Sequence, residues 1–258
     1  VLRNERNSGF AKACNQGAKE ARGAFLVFLN NDTEPQPGWL KAGLDRLTSE
    51  EEIGVVGAKL LYPDRSVQHG GIQFFRTTAS LYPLWPLHRY RFASENDPRA
   101  NEPGEVQAVT GACLFIRREL FEALGGFDEG YGMYFEDTDL CFKARARGKK
   151  VYYEPHSVVI HHEGKSSPGQ NEIDRLNERA AALFFQRWQK EVALLHLETF
   201  IEKEEGNLFF LSPEILPEAR DGSFPPADRL REILWQRAQI FKAIGPFYAH
   251  FGGAGDAL

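Results

Sequence analysis

The stretch Phe25-Leu26-Val27-Phe28-Leu29 constrains this chain more than any other. Five consecutive apolar residues, stopped abruptly by Asn30-Asn31-Asp32-Thr33-Glu34, are the pattern of a central parallel strand covered on both faces. Such a strand commits the chain to an α/β architecture. Ahead of it, Phe10, Ala13, Cys14, Gly17, Ala18 and Ala21 recur at helical spacing, which predicts a helix over about 9–21 ended by Arg22-Gly23. After it, Pro35 and Pro37 lead into a helix with Trp39, Leu40, Gly43, Leu44 and Leu47 on one face. In open α/β sheets ligands bind beyond the carboxyl ends of strands, so Asp32 stands where function is expected. An acid after a strand also serves as a turn residue or helix cap. The polar turn Asn7-Ser8-Gly9 offers backbone N–H groups at a helix start in the same two-sided way.

The rest of the chain alternates accordingly. Ile53–Tyr62 is strand-like, and Val67–Phe75 returns as a ribbon broken by Gly70-Gly71. Residues 76–104 lose periodicity and are rich in Pro, Arg and aromatic rings. A loop of that length inside a compact domain is usually functional or mobile. Val106–Ile116 is apolar around Thr110-Gly111-Ala112, small residues that let something approach the backbone closely. A short helix over Arg118–Leu124 precedes Gly125-Gly126-Phe127-Asp128-Glu129. Val151-Tyr152-Tyr153 and Val158-Val159-Ile160 read as two short strands, the second running into His161-His162. Alternation sends those two histidines to opposite faces. Residues 172–198 form a long helical pattern; prolines 213, 217, 225 and 226 then punctuate a linker before a last helix over Leu230–Tyr248. The expected division is a domain over 1–198 and a linker with helical extension over 199–258.

Net charge is −5, with basic residues spread rather than massed, which argues against a nucleic-acid-binding face. Three separated cysteines (Cys14, Cys113, Cys141) suit reduced, buried thiols in a cytosolic protein. His69, His88 and His156 read as structural or surface residues.

Tyr134-Phe135-Glu136-Asp137-Thr138-Asp139-Leu140 sets three carboxylates within four positions, ahead of a helical run ending in Lys143, Arg145, Arg147 and Lys149. Taken alone this is a capped surface helix closed by Gly148, with acids at the positive end of its dipole. With Asp32 and His161 it becomes more. A hard divalent cation held by few protein groups plus phosphates takes a carboxylate and tolerates a histidine. A further carboxylate nearby can accept a proton.

These stretches, in this order, resemble glycosyltransferase family 2 enzymes of the rhamnosyltransferase-like branch. The matching segments are Asn7-Ser8-Gly9-Phe10-Ala11 through Asn15, Leu29-Asn30-Asn31-Asp32-Thr33, Thr110-Gly111-Ala112, Gly126-Phe127-Asp128-Glu129, Tyr134–Leu140, and His161-x-x-Gly164-x-Ser166, over roughly residues 1–190. The resemblance implies a GT-A fold: a mostly parallel central sheet flanked by helices, here lacking the family's first βα elements, plus a helical C-terminal appendage. It implies an inverting, metal-dependent transfer of a sugar, rhamnose by branch, from a dTDP- or UDP-linked donor to a glycan or lipid-linked acceptor hydroxyl. By position, Asp32 and His161 hold Mn²⁺ or Mg²⁺, Asp137 is the catalytic base, and Glu136 orients the acceptor. Asn7, Gly9, Asn30, Asn31 and Gly111 line the donor. Asn30 departs from the family's Asp-x-Asp pattern, which leaves Asp32 as the dependable ligand. Further expectations are a cytoplasmic location at the inner face of the plasma membrane, peripheral membrane association, and self-association through exposed sheet edges. The rival reading is a catalytically silent GT-A-like module that binds glycan or a protein partner.

Overall fold

In a computed structural model that describes residues 2–76, 82, 84–162 and 170–203, the chain runs through α1 (Phe10–Glu20), β1 (Phe25–Leu29), β2 (Thr33–Pro35) and α2 (Trp39–Ser49). It continues as β3 (Ile53–Leu61), β4 (Val67–His69), β5 (Ile72–Arg76), β6 (Leu84–His88), a 3-10 turn (Pro98–Asn101) and β7 (Gly104–Glu105). Last come β8 (Cys113–Arg117), α3 (Arg118–Ala123), α4 (Glu136–Arg145), β9 (Lys150–His161) and α5 (Gln170–Lys203). Two units divide these elements: residues 1–73 with 87–188, and residues 74–86 with those from 189 onward. The first holds the sheet and every candidate site residue. The second holds most of the β5–β6 ribbon and the C-terminal part of α5. The expected helix over 230–248, the linker prolines, and Gly164 and Ser166 lie outside the described residues.

The sheet is ordered β1-β8-β3-β9-β2, with β4 sharing one edge of β3 and β7 sharing the outer edge of β9. β3 is buried along its whole length and runs parallel to β9. β8 runs antiparallel to both β1 and β3, and β2 antiparallel to β9. This corrects the expectation for Phe25–Leu29. The strand is covered on both faces, but it stands at the end of the described strand order and its partner β8 is antiparallel. A continuous apolar run reports coverage of both faces; it carries no information about the direction of a neighbour.

Two cores flank the sheet. On one face Leu26 and Phe28 of β1 join Ala11 and Ala18 of α1, Leu120 and Phe121 of α3, and Leu140, Cys141 and Ala144 of α4. On the other, Phe25 and Val27 join Trp39, Leu44 and Leu47 of α2 with Phe115. α2 comes so close that a Cβ on Gly43 would meet the Phe115 ring at 2.4 Å. All three cysteines are free, with Cys113 and Cys141 buried.

β9 is one strand of twelve residues rather than two short ones. Its pairing with β3 jumps from Ala58↔Glu154 to Lys59↔Val158, so residues 155–157 are bulged out. Glu154 holds the bulge by accepting from the backbone N–H of His156 and from Arg46 Nε. An odd number of extra residues exchanges the faces of the strand. Val151 and Tyr153 pack on the α1–α4 side, whereas Val159 packs on the α2 side.

Candidate active site

Beyond that bulge, His161 ends β9 opposite Thr33 of β2, which brings it alongside the Asn30-Asn31-Asp32 turn. Strand alternation separates the two histidines as expected: His161 is buried and His162 turns out to Glu34, with Nε2 2.6 Å from Oε1. His161 Nδ1 lies 2.7 Å from Gln68 Oε1. An amide oxygen only accepts, so Nδ1 carries the proton. The opposite nitrogen, Nε2, faces Asp32 Oδ1 at 3.2 Å and Asn30 Nδ2 at 3.4 Å. A bare ring nitrogen and a carboxylate oxygen this close require a proton or a cation between them. The pair therefore fits a hard divalent cation. Among the described residues no group of three or more His, Cys, Asp or Glu side chains gathers for a metal, so substrate oxygens or water would complete the shell.

The acids of Glu136–Asp139 separate by environment. Asp139 is fully buried and accepts through Oδ1 from Tyr131 Oη (3.0 Å), Arg187 Nη1 (2.7 Å) and Trp188 Nε1 (2.8 Å), with Lys143 Nζ 2.9 Å from Oδ2. Glu136 is also buried, and its Oε2 has no hydrogen-bond partner among the described residues. Burial, and then the neighbouring charge of Asp137, push its carboxyl up to about 8. Asp137 alone of the three is partly exposed. Its Oδ2 accepts from the Gly111 N–H at 2.8 Å, and its Oδ1 from the N–H and hydroxyl of Thr138. A helix with all this inside it is not a surface helix, and no side chain caps it. Phe135 stands at its start in the left-handed conformation.

The two halves of the site meet through two residues. Asn30 N–H donates to the Ala112 carbonyl, and the adjacent Gly111 N–H donates to Asp137. Phe10 closes the third side, because a Cβ on Gly111 would meet its ring at 2.9 Å. Gly9, at φ 82°, opens α1 and lies against the Gly132 carbonyl, while Asn7 Oδ1 accepts from the Gly9 N–H. Asn31 is exposed in the turn before Asp32. Asn15 clamps the Gly126–Phe127 turn to α1, donating to the Phe127 carbonyl and accepting from its N–H. Sequence reasoning missed Gln68. A glutamine in a three-residue strand gives no sign of its partner 93 positions away.

Residues 1–125 match the family model described as Glycosyl transferase family 2. The chain is 38% identical over 162 residues to the O-antigen biosynthesis protein RfbC of Myxococcus xanthus, a match covering 59% of this chain and 12% of that protein. It is 31% identical over 148 residues to the N-acetylglucosaminyl-diphospho-decaprenol L-rhamnosyltransferase of Mycobacterium tuberculosis, covering 55% and 48% respectively. These curated relatives are thus spanned over half their length or less. A crystal structure of GalNAc-T7 with UDP, GalNAc and Mn²⁺ aligns with a TM-score of 0.51 at 19% identity, over 98% of this chain and 47% of that one. That likeness carries the fold, which is GT-A. No described helix is long and apolar enough to cross a membrane.

Proposed function

We propose, on the premise that residues 1–125 belong to glycosyltransferase family 2, that the protein transfers a sugar from a nucleotide-diphosphate donor to a glycan or lipid-linked acceptor hydroxyl with inversion. The observation that carries this reading is the pairing across Gly111–Ala112: the Asp32–His161 couple on one side, the reachable Asp137 on the other. Asp32 and His161 would hold Mn²⁺ or Mg²⁺. Such an ion supplies Lewis-acid stabilisation of the charge that builds on a departing diphosphate.

Asp137 accepts the acceptor proton as that oxygen bonds to the anomeric carbon and the bond to the diphosphate breaks. Its three donors fix the carboxylate's orientation rather than leave it to rotate. Glu136, neutral at pH 7, flanks the base without adding a second negative charge, and its Oε2, which has no partner among the described residues, supports a role in orienting the acceptor. Asn7 and Gly9 border the nucleoside, and Asn30, Asn31 and Gly111 the donor. Rhamnose as the sugar, and dTDP ahead of UDP as its carrier, rest on the branch, which the name of the mycobacterial relative supports.

The test uses the full-length protein with a panel of nucleotide sugars. Asp137→Asn should lower transfer at least about 1,000-fold while leaving donor-dependent thermal stabilisation intact. Asp32→Ala should remove the Mn²⁺-dependent part of that stabilisation. Full transfer by Asp137→Asn would overturn the base assignment, and stabilisation by no donor at all would favour the silent binding module.

A further inference from the structure

We propose that Gln68 is a positioning residue that sets the tautomer of His161, so that the nitrogen facing the cation site is the unprotonated one. This rests on the reading of Asp32 and His161 given above. Gln68 is only 3% exposed and reaches His161 twice: Oε1 stands 2.7 Å from ring Nδ1, and Nε2 donates to the His161 backbone carbonyl at 3.4 Å. The second bond decides the first. With its NH₂ turned to the carbonyl, the amide presents only oxygen to the ring, and that oxygen demands a proton on Nδ1. Turning the amide over would set two oxygens against each other at the carbonyl.

A neutral imidazole carries one proton. Fixing it on Nδ1 leaves the Nε2 lone pair facing Asp32 Oδ1 and Asn30 Nδ2, and Asn30 Nδ2 is itself a donor that suits a lone pair. Without Gln68, the opposite tautomer would place N–H at Nε2, where it donates to Asp32 and blocks the cation. Partners of this kind, one shell behind a ligating histidine, are worth about 10–100-fold in metal affinity. The same two bonds tie β4 to the end of β9, so the backbone that carries His161 is fixed together with its ring.

The experiment measures Mn²⁺ binding, with UDP as the diphosphate probe, by electron paramagnetic resonance on wild type, Gln68→Leu, Gln68→Glu and Asp32→Ala. Gln68→Leu removes the acceptor and should weaken Mn²⁺ about 10–100-fold. Gln68→Glu keeps an acceptor for Nδ1–H but loses the donor to the His161 carbonyl, so it should bind Mn²⁺ more tightly than Gln68→Leu without reaching wild type, a partial rescue that a purely structural role would not give. Independently of any variant, ¹⁵N spectra of the metal-free wild type at pH 8 should show His161 protonated on Nδ1. A ring protonated on Nε2 alone, or Gln68→Leu binding Mn²⁺ as tightly as wild type while Asp32→Ala does not, overturns the proposal. Unchanged binding by Asp32→Ala would instead remove the cation site itself.

Discussion

The role of base proposed for Asp137 rests on what two nearby acids in the chain do. Glu136 and Asp139 are buried, one neutral and one spent on three hydrogen-bond donors, which leaves Asp137 as the partly exposed acid of the three. Its orientation depends on a position with no side chain. A Cβ on Gly111 would stand 2.9 Å from the Phe10 ring and 3.5 Å from Asp137 Cβ. Either the Phe10 ring or the Gly111 backbone must give way, and a shift of the backbone carries the N–H bonded to Asp137 with it. Gly111→Ala should therefore lower kcat roughly 10- to 100-fold through misplacement of the base, with a melting temperature only a few degrees below wild type. Transfer assays beside calorimetry separate the two effects, and a variant with normal kcat would show that Gly111 does not position Asp137.

At the scale of elements, α4 begins under strain. Tyr134 and Phe135 both lie in the left-handed region, at φ 68° and 66°, a conformation that costs about 1–2 kcal/mol for each side chain that carries a Cβ. Two contacts oppose that cost. Phe135 packs on Phe184 of α5 at 5.1 Å between ring centres, and Asp139 ties α4 to Tyr131 and to Arg187 and Trp188 of α5. Arg187 also reaches Asp128 Oδ2 at 2.9 Å, so the preceding loop is fastened by the same guanidinium. Asp139→Asn keeps the shape, removes the charge, and leaves Arg187 and Lys143 without their buried counterion. It should cost about 3 kcal/mol in urea unfolding at unchanged slope. A loss under about 0.5 kcal/mol would mark the cluster as an exposed ion pair in effect.

At the scale of the whole molecule, the buried Glu136 makes stability depend on pH. Its carboxyl, ordinarily near 4.5, titrates at about 8 in the folded chain. Between those values the folded state keeps a proton that the unfolded chain releases, so stability falls as pH rises from 4.5 to 8 and is flat for this group outside that window. Glu136→Gln removes the dependence. Its melting temperature relative to wild type should rise steadily from pH 5 to pH 8, and a difference that stays constant with pH would contradict the buried, proton-retaining state of this carboxyl. That state follows from packing: α1 and α4 share one face of the sheet, and Glu136, the first residue of α4, is buried there.

The sequence alone determined the helices among the described residues, the apolar strands and the order of the acids. Each is written locally: periodicity sets which residues share a face, and composition sets which segments bury. Alternation likewise sent His161 and His162 to opposite sides. It could not say which side was which, because the three bulged residues of β9 exchange the faces, and the Glu154 carboxylate that holds the bulge is bonded to Arg46, 108 positions away. The antiparallel partner of β1, the burial of α4 and the hold of Gln68 on His161 were equally beyond reach. Each is a pairing between distant segments, and the free energy of such a pairing belongs to two surfaces at once, so neither segment displays it by itself.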